Sequence, residues 1–376
     1  MNKFKYYFVL LIASITIISC NKDKDEPEQV PLRDYKVQYA ADKDSIVKYL
    51  KTNYIKEVTA NFDITIEKIP AGGTQVSIWE QTTYPLQIRK VYNNDVDYEV
   101  YYLILNKGVG QSPLNSDRIN ASYTGTLLNG TQFDSSYGLG RSFELYMNSS
   151  QAVIDGWGEI FPQFKTGTPN AAGPDGTITY KDYGAGVMFL PSGLAYYGGG
   201  TDNIPAYSPL VFSFKLFDLQ RLDHDGDGVL DLNEDINGDG YVYDLRNTTK
   251  FPTPPATMKD DTDGDGIADF VDTDDDGDGF STYYEVTKPT NQVGWVDGVF
   301  NGLSTYYPWD PVADNPNTPN TDETEPRGIP RRPTGALASP ALPESITNPK
   351  SYVPADYTAA GRLRIHLDKT YPFPRK

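Results

Sequence analysis

Ile119-Asn120-Ala121-Ser122-Tyr123-Thr124 alternates apolar and polar residues, and through Gly125-Thr126-Leu127 it runs to Asn129-Gly130, the dipeptide best suited to a tight hairpin turn. Such a run reads as a half-buried strand that folds back on itself, so the chain around it is expected to be antiparallel sheet. Leu210, Phe212, Phe214 and Leu216 alternate in the same way with Val211, Ser213, Lys215 and Phe217, which predicts a closing strand with one strongly apolar face. Upstream, Val76 to Trp79, Leu86 to Val91 and Val100 to Leu105 are strand-like. Before them, Ile46, Val47 and Leu50 opposite Lys48 and Lys51 predict a short amphipathic helix from about Asp44, with Asp42 or Asp44 as its N-cap.

Around this strand the residues carry a family resemblance. In order come Ala121-Ser-Tyr123-Thr-Gly-Thr-Leu, Gly130-Thr-Gln-Phe133-Asp134-Ser-Ser, Val153-Ile154-Asp-Gly-Trp157, Pro191-Ser-Gly-Leu-Ala195-Tyr196, Ile204-Pro205 and Pro209-Leu-Val-Phe212. Together, over residues 117 to 220, they resemble the FKBP-type peptidyl-prolyl isomerases. The resemblance implies an α+β fold in which a curved antiparallel sheet wraps around one short helix. It also implies a pocket lined by Tyr123, Phe133, Asp134, Phe143, Val153, Ile154, Trp157, Tyr196, Ile204 and Phe212, with Trp157 as floor and no cofactor for catalysis. Four departures bear on substrate range: Tyr197 stands where the family has glycine, Ala206 replaces a proline, residues 167 to 186 are inserted, and Pro162 interrupts the helix after Trp157.

Downstream, Asp223, Asp225, Asp227, Gly228, Asp231 and Glu234 fall at positions 1, 3, 5, 6, 9 and 12 of a calcium loop, and Asp274, Asp276, Asp278, Gly279, Thr282 and Glu285 repeat the offsets. Asp261, Asp263, Asp265, Gly266, Asp269 and Asp272 keep the pattern with Asp at position 12, and Asp235, Asn237, Asp239 and Gly240 begin a weaker copy with Arg246 there. Hard calcium takes six to eight oxygens, which alternate side chains of a tight loop can aim at one centre, and the backbone of Val229 and Phe280 at position 7 counts among the ligands. The run Asp261 to Phe280 resembles thrombospondin type 3 repeats rather than a paired EF-hand. Structural calcium is therefore the expected cofactor.

Composition narrows the rest. With 38% hydrophobic and 13% aromatic residues in 376, the chain can bury a sizeable core, which excludes wholesale disorder. A net charge of -18 excludes a nucleic-acid partner. Residues 223 to 285 hold 19 acids (17 Asp, 2 Glu) against three bases, a balance of -16 that leaves -2 for everything else, so the acidity belongs to one segment. The sole cysteine, Cys20, follows a basic start (Lys3, Lys5) and an apolar run from Tyr6 to Ile18 too short to span a bilayer comfortably. Ile17-Ile18-Ser19-Cys20 resembles a bacterial lipobox, with Cys20 as the lipidated residue, and Lys24-Asp25-Glu26 resembles the acidic export signal of Bacteroidetes surface lipoproteins. Prolines recurring from Pro308 to Pro354 deny the tail helix interiors and ladder bonds, so it is expected to be extended or disordered, docking only at Arg362 to Leu367.

The expected order is a lipoprotein signal peptide (1–19), a lipidated tether (20–33), a small N-terminal α/β subdomain (34–100), the isomerase domain (101–222), the calcium segment (223–285) and the proline-rich tail (286–376). The isomerase domain, nearly neutral and with its own core, is expected to keep its fold and activity without calcium. The expected function is isomerisation of Xaa-Pro bonds in exported, proline-containing polypeptides by an outer-membrane lipoprotein on its periplasmic or cell-surface face. A non-catalytic FKBP-fold scaffold beside an outer-membrane (type IX) secretion complex is the alternative, and a calcium-dependent glycan binder a weaker third.

Overall fold

The computed structural model describes residues 31–146, 153–316 and 321–372; the signal peptide, Cys20 and the tether to Gln29 lie outside them. Residues 31–34 are exposed and irregular, and the rest of the described chain belongs to one unit, Tyr35–Lys376.

Helix α1 (Tyr35–Thr52) is followed by a hairpin of β1 (Asn53–Val58) and β2 (Ile64–Lys68). The main sheet contains β3 (Leu86–Asn93), β4 (Val96–Asn106), β5 (Arg118–Leu127), β6 (Gln132–Ser135), β7 (Arg141–Glu144), β10 (Gly184–Leu190) and β11 (Leu210–Gln220). Its order is β3-β4-β10-β11-β5-β6, with β7 also on β5, and every pairing is antiparallel. The hairpin read at Asn129-Gly130 closes between Leu127 and Thr131, with Gly130 at φ +87°. Between β7 and β10 lie α2 (Asp155–Ile160) and a small hairpin of β8 (Thr168–Pro169) and β9 (Tyr180–Lys181) made by the inserted residues.

Both faces of this sheet are covered. On one, Trp157, Phe161 and Phe164 pack on Tyr102, Met188, Leu190, Phe212, Phe214 and Leu216; on the other, Ile46 and Leu50 of α1 pack on Tyr101, Leu103, Val187 and Phe189. That is why all seven residues of β10 are buried, with no polar face to alternate against. Burying Ile46 and Leu50 contributes on the order of 1.5–3 kcal/mol each.

Three expectations about the first hundred residues change. The boundary at residue 100 falls inside β4, because β3 and β4 complete the main sheet and α1 caps its second face, so no separate subdomain exists there. Residues 76–79 are not a strand; Ile78 N–H and Trp79 N–H donate to the carbonyls of Asn53 and Leu50 and seat a turn under α1. And α1 starts at Tyr35, so Asp42 is a buried mid-helix residue rather than an N-cap.

The described residues of the tail pack together too. Val286, Tyr307, Ile329, Tyr357, Ile365 and Tyr371 form a core with Val229 of the acidic segment. The prolines do prevent ladders, and side chains satisfy the backbone instead: buried Asp356 accepts from the N–H groups of Val353 and Thr334 and pairs with Arg362 at 2.8 Å, and Arg331 donates to the carbonyl of Tyr357. Within the docking stretch expected at 362–367, Ile365 and His366 are buried.

Candidate functional site

Helix α2 is six residues long for local reasons. Pro162 in the 3₁₀ turn Phe161–Gln163 cannot continue its bonding, and a Cβ on Gly156 would stand 2.6 Å from Leu190, so this glycine lets the helix lie directly on the sheet. The helix presents Trp157, 3% exposed, to a ring of aromatics: Tyr123 at 5.1 Å, Phe143 at 5.2 Å and Phe212 at 5.4 Å between centroids, each close to edge-on. Phe133 meets Phe212 edge-on at 5.5 Å across Gly125, where any Cβ would come within 2.5 Å of the Phe133 ring. Val153, Ile154 and Ile204 pack on the same cluster.

Polar groups are few. The Tyr123 hydroxyl donates to the Asp134 carboxylate at 2.5 Å, and the other Asp134 oxygen accepts from Ser135 N–H. Burial and this carboxylate push the Tyr123 hydroxyl well above its ordinary range, so it stays a neutral donor. Tyr196 stands at the rim, 40% exposed, its pKa raised by burial and by the nearby Asp134. The Trp157 indole N–H is buried and finds no acceptor among the described residues. All ten residues expected at the pocket therefore come to one place.

Sequence reasoning missed what holds the rim. The loop carrying Tyr196 begins at Ser192, whose N–H and Oγ both donate to the buried Asp42 carboxylate of α1, at 2.8 and 2.6 Å. Tyr197, at φ +44° where the family has glycine, stacks on Tyr35 of α1 at 4.0 Å and 8°. Removing the carboxylate leaves two buried donors on Ser192 with a lost partner, so Asp42→Ala is expected to cost about 2–3 kcal/mol. It is also expected to raise KM for Xaa-Pro peptides more than it lowers kcat, measured by urea melts and isomerisation kinetics.

The acidic segment builds one turn four times. The position-1 carboxylate accepts from the position-6 glycine N–H (Asp223 from Gly228, Asp235 from Gly240, Asp261 from Gly266, Asp274 from Gly279), and the glycines at positions 4 and 6 have positive φ, from 69° to 99°. Among the described residues, three of these loops gather three carboxylates within 4.8 Å: Asp223, Asp225 and Asp227; Asp261, Asp263 and Asp265; Asp274, Asp276 and Asp278. A further cluster joins Asp227, Glu234 and Asp275. Burial and like charges push Asp225 up to about 8 and Asp227 and Asp276 up to about 7. Glu285 rises to about 10, by burial first, and neither of its buried carboxylate oxygens has a hydrogen-bond partner among the described residues.

Position 9 does not behave as expected. Asp231 accepts from His224 N–H and pairs with its Nδ1 at 2.6 Å, Asp269 accepts from Thr262 N–H and Oγ1, and Thr282 Oγ1 accepts from Asp275 N–H. Each bonds to position 2 of its own loop, and Asp231 and Asp269 fall outside the clusters of three carboxylates. In the weaker copy, Arg246 pairs with Asp244 instead of entering the loop, and Asp260 enters in its stead. Asp260 is fully buried, accepts from Ile236 N–H and the Asn237 amide, and is pushed up to about 7 by burial and by Asp235. The only hint in the sequence was an acidic residue just before the third loop.

The segment also lies against the back of α2. Tyr241 donates to the carbonyl of Glu159 at 2.8 Å, and Arg89 sits 3.5 Å over the Tyr241 ring while pairing with the Glu159 carboxylate. The Asn115 amide both donates to and accepts from Val242, and Phe270, Ala268, Val242 and Leu114 share a buried cluster. The two parts, expected to be independent of each other, are in contact: Tyr241, Val242 and Phe270 are apolar outposts that the charge count hid.

An antiparallel sheet, a short helix and an aromatic well with one tyrosine–carboxylate pair are the arrangement that the FKBP resemblance implies. Residues 110–217 match the family model for FKBP-type peptidyl-prolyl cis-trans isomerase, and residues 224–320 match one described as BamM C-terminal, which crosses the boundary expected at residue 285. Curated relatives include the FKBP-type peptidyl-prolyl cis-trans isomerase FkpA of Aeromonas hydrophila, 34% identical over 34% of this chain and 41% of its own length. FkpA of Escherichia coli is 31% identical over 32% of this chain and 37% of its own. The peptidyl-prolyl cis-trans isomerase Mip of Coxiella burnetii is 42% identical over 24% of this chain and 38% of its own. The chain thus spans about two fifths of the length of these relatives.

Proposed function

We propose that the chain is a peptidyl-prolyl cis-trans isomerase that acts on proline-containing polypeptides at the cell envelope, carried by a lipid on Cys20 and stiffened by calcium in its acidic segment. The observation that carries the enzymatic part is the aromatic well over Trp157 with the Tyr123–Asp134 pair at its edge. Rotating an Xaa-Pro bond needs neither nucleophile nor proton transfer, only relief of a barrier of ~18–20 kcal/mol that comes from amide resonance. The twisted amide has lost its charge-separated resonance, so a dry aromatic wall favours it over the planar form. The Tyr196 hydroxyl and the Ile154 N–H are the donors for substrate carbonyls, and Asp134 fixes the Tyr123 ring. Direct measurement of Xaa-Pro isomerisation by the chain tests this reading.

Calcium fits the acidic segment by donor chemistry: the loops offer carboxylate and carbonyl oxygens, and Glu234, Asp275 and Glu285 bury carboxylates without hydrogen-bond partners among the described residues, which an oxygen-seeking cation would satisfy. The cation would supply charge neutralisation and cross-linking of the loops, with no part in the isomerisation.

Among the described residues no helix is long and apolar enough to cross a membrane. Membrane retention is therefore expected to depend on Cys20. Cys20→Ser is expected to move the protein from the detergent phase to the aqueous phase in partitioning experiments, and retention of the variant would refute lipidation.

A further inference from the structure

The fourth loop differs from the others at position 2. Where the first three have His224, Ile236 and Thr262, it has Asp275. Its backbone keeps the common role, donating to Thr282, but its carboxylate leaves its own loop and joins Asp227 and Glu234 of the first. One oxygen from each of the three lies within 4.8 Å of the others. Asp227, Glu234 and Asp275 are 2%, 3% and 1% exposed, and Asp227 Oδ2 and both carboxylate oxygens of Glu234 and Asp275 have no hydrogen-bond partner among the described residues. Asp227 keeps one donor, the Val229 N–H on its Oδ1, but five buried carboxylate oxygens without donors or counter-charge are a costly arrangement, and the usual resolution is a metal ion. An all-carboxylate donor set selects a hard divalent cation such as calcium.

We propose that Asp227, Glu234 and Asp275 together hold one divalent cation between the first and fourth loops, a cross-loop site that fastens the two ends of the acidic segment to each other. The site deepens, and rests on, the reading of this segment as calcium-binding. Asp227 also belongs to the cluster with Asp223 and Asp225, so the cross-loop site shares a carboxylate with the first loop. Loop 1 is thereby made dependent on a residue of loop 4.

The test is a pair of melts of the full chain, wild type and Asp275→Asn, in millimolar calcium and in EDTA. Asparagine keeps the size of the side chain and deletes one charge. With calcium the variant is expected to melt lower than wild type and to bind one calcium fewer per chain by elemental analysis, with new protease cleavage in residues 223–234. In EDTA it is expected to melt higher, because a neutral amide escapes the penalty of burying a third carboxyl group beside Asp227 and Glu234. A shift of the same sign in both conditions, or an unchanged calcium count, would overturn the cross-loop site while leaving calcium binding intact. A wild-type chain indifferent to calcium would overturn both. Should Asp275→Asn not fold, Asp275→Thr, which installs the residue that the third loop has at this position, carries the same signs and the same count.

Discussion

Chelating calcium from the chain is expected to produce the largest loss of stability of any mild treatment. Each site that binds only the folded state contributes about 2.7 kcal/mol when calcium is at a hundredfold its dissociation constant, so three filled loops amount to roughly 8 kcal/mol. At about 2–4 °C per kcal/mol for a domain of this order of size, EDTA should lower Tm by roughly 15 °C or more. The loss should also reach the isomerase domain, since Tyr241 and Val242, at positions 7 and 8 of the second loop, hold Glu159 and Asn115 behind the pocket helix. Proteolysis in EDTA is therefore expected to cut first within 223–285 and then in the domain it supports. Identical cleavage with and without calcium would refute the account.

The same carboxylates set the pH dependence of the calcium-free chain. Burial and neighbouring charge raise Asp275 and Glu285 to about 10 and Asp225 to about 8, so the folded state holds protons that the unfolded state releases near pH 4. Stability from a raised carboxylate is present below the unfolded pKa and is lost as pH rises through the folded one. In EDTA the protein is therefore expected to melt higher at pH 5 than at pH 8. With calcium, protons compete with the cation and the order is expected to reverse. A calcium-free melting temperature that rises from pH 5 to pH 8 would contradict this.

Phe212→Ala is expected to have the largest effect of any pocket substitution. Phe212 is 3% exposed and touches Trp157, Phe133 and Tyr123 at once, so truncation opens a cavity under the substrate and costs about 3–5 kcal/mol. Water admitted there should lower kcat/KM by roughly 100-fold, a loss of transition-state stabilisation of about 2.7 kcal/mol. Asp134→Ala separates pocket chemistry from core packing, because Asp134 is exposed and its removal frees the Tyr123 ring without opening the core. Its kcat/KM is expected to fall about tenfold with Tm little changed. Equal activity in wild type and Phe212→Ala, both folded, would remove the aromatic well from the mechanism.

Local pattern carried the pocket and the loops far. The alternation at Ile119 to Tyr123 and at Leu210 to Leu216 marks strands because one face meets α2, and the spacing of Asp and Gly marks the loops because each turn bonds within itself. What stayed hidden depends on distance in the chain. Asp42 reads as a helix cap until Ser192 is beside it, and Asp275 reads as a spacer until it meets Glu234. Residues 184–190 show no period because both of their faces are covered. In the tail, frequent proline signalled the lack of ladders, but the widely spaced Tyr307, Ile329, Tyr357 and Ile365 that close its core have no period to read.

The central claim is that the well over Trp157 turns Xaa-Pro bonds, and the most direct test is line-broadening or exchange NMR of a proline peptide with the full chain in calcium. The account predicts cis–trans exchange that accelerates in proportion to protein concentration, falls with Asp134→Ala and is nearly lost with Phe212→Ala. Exchange at the uncatalysed rate across a set of Xaa-Pro peptides, with the chain folded by circular dichroism, would contradict it.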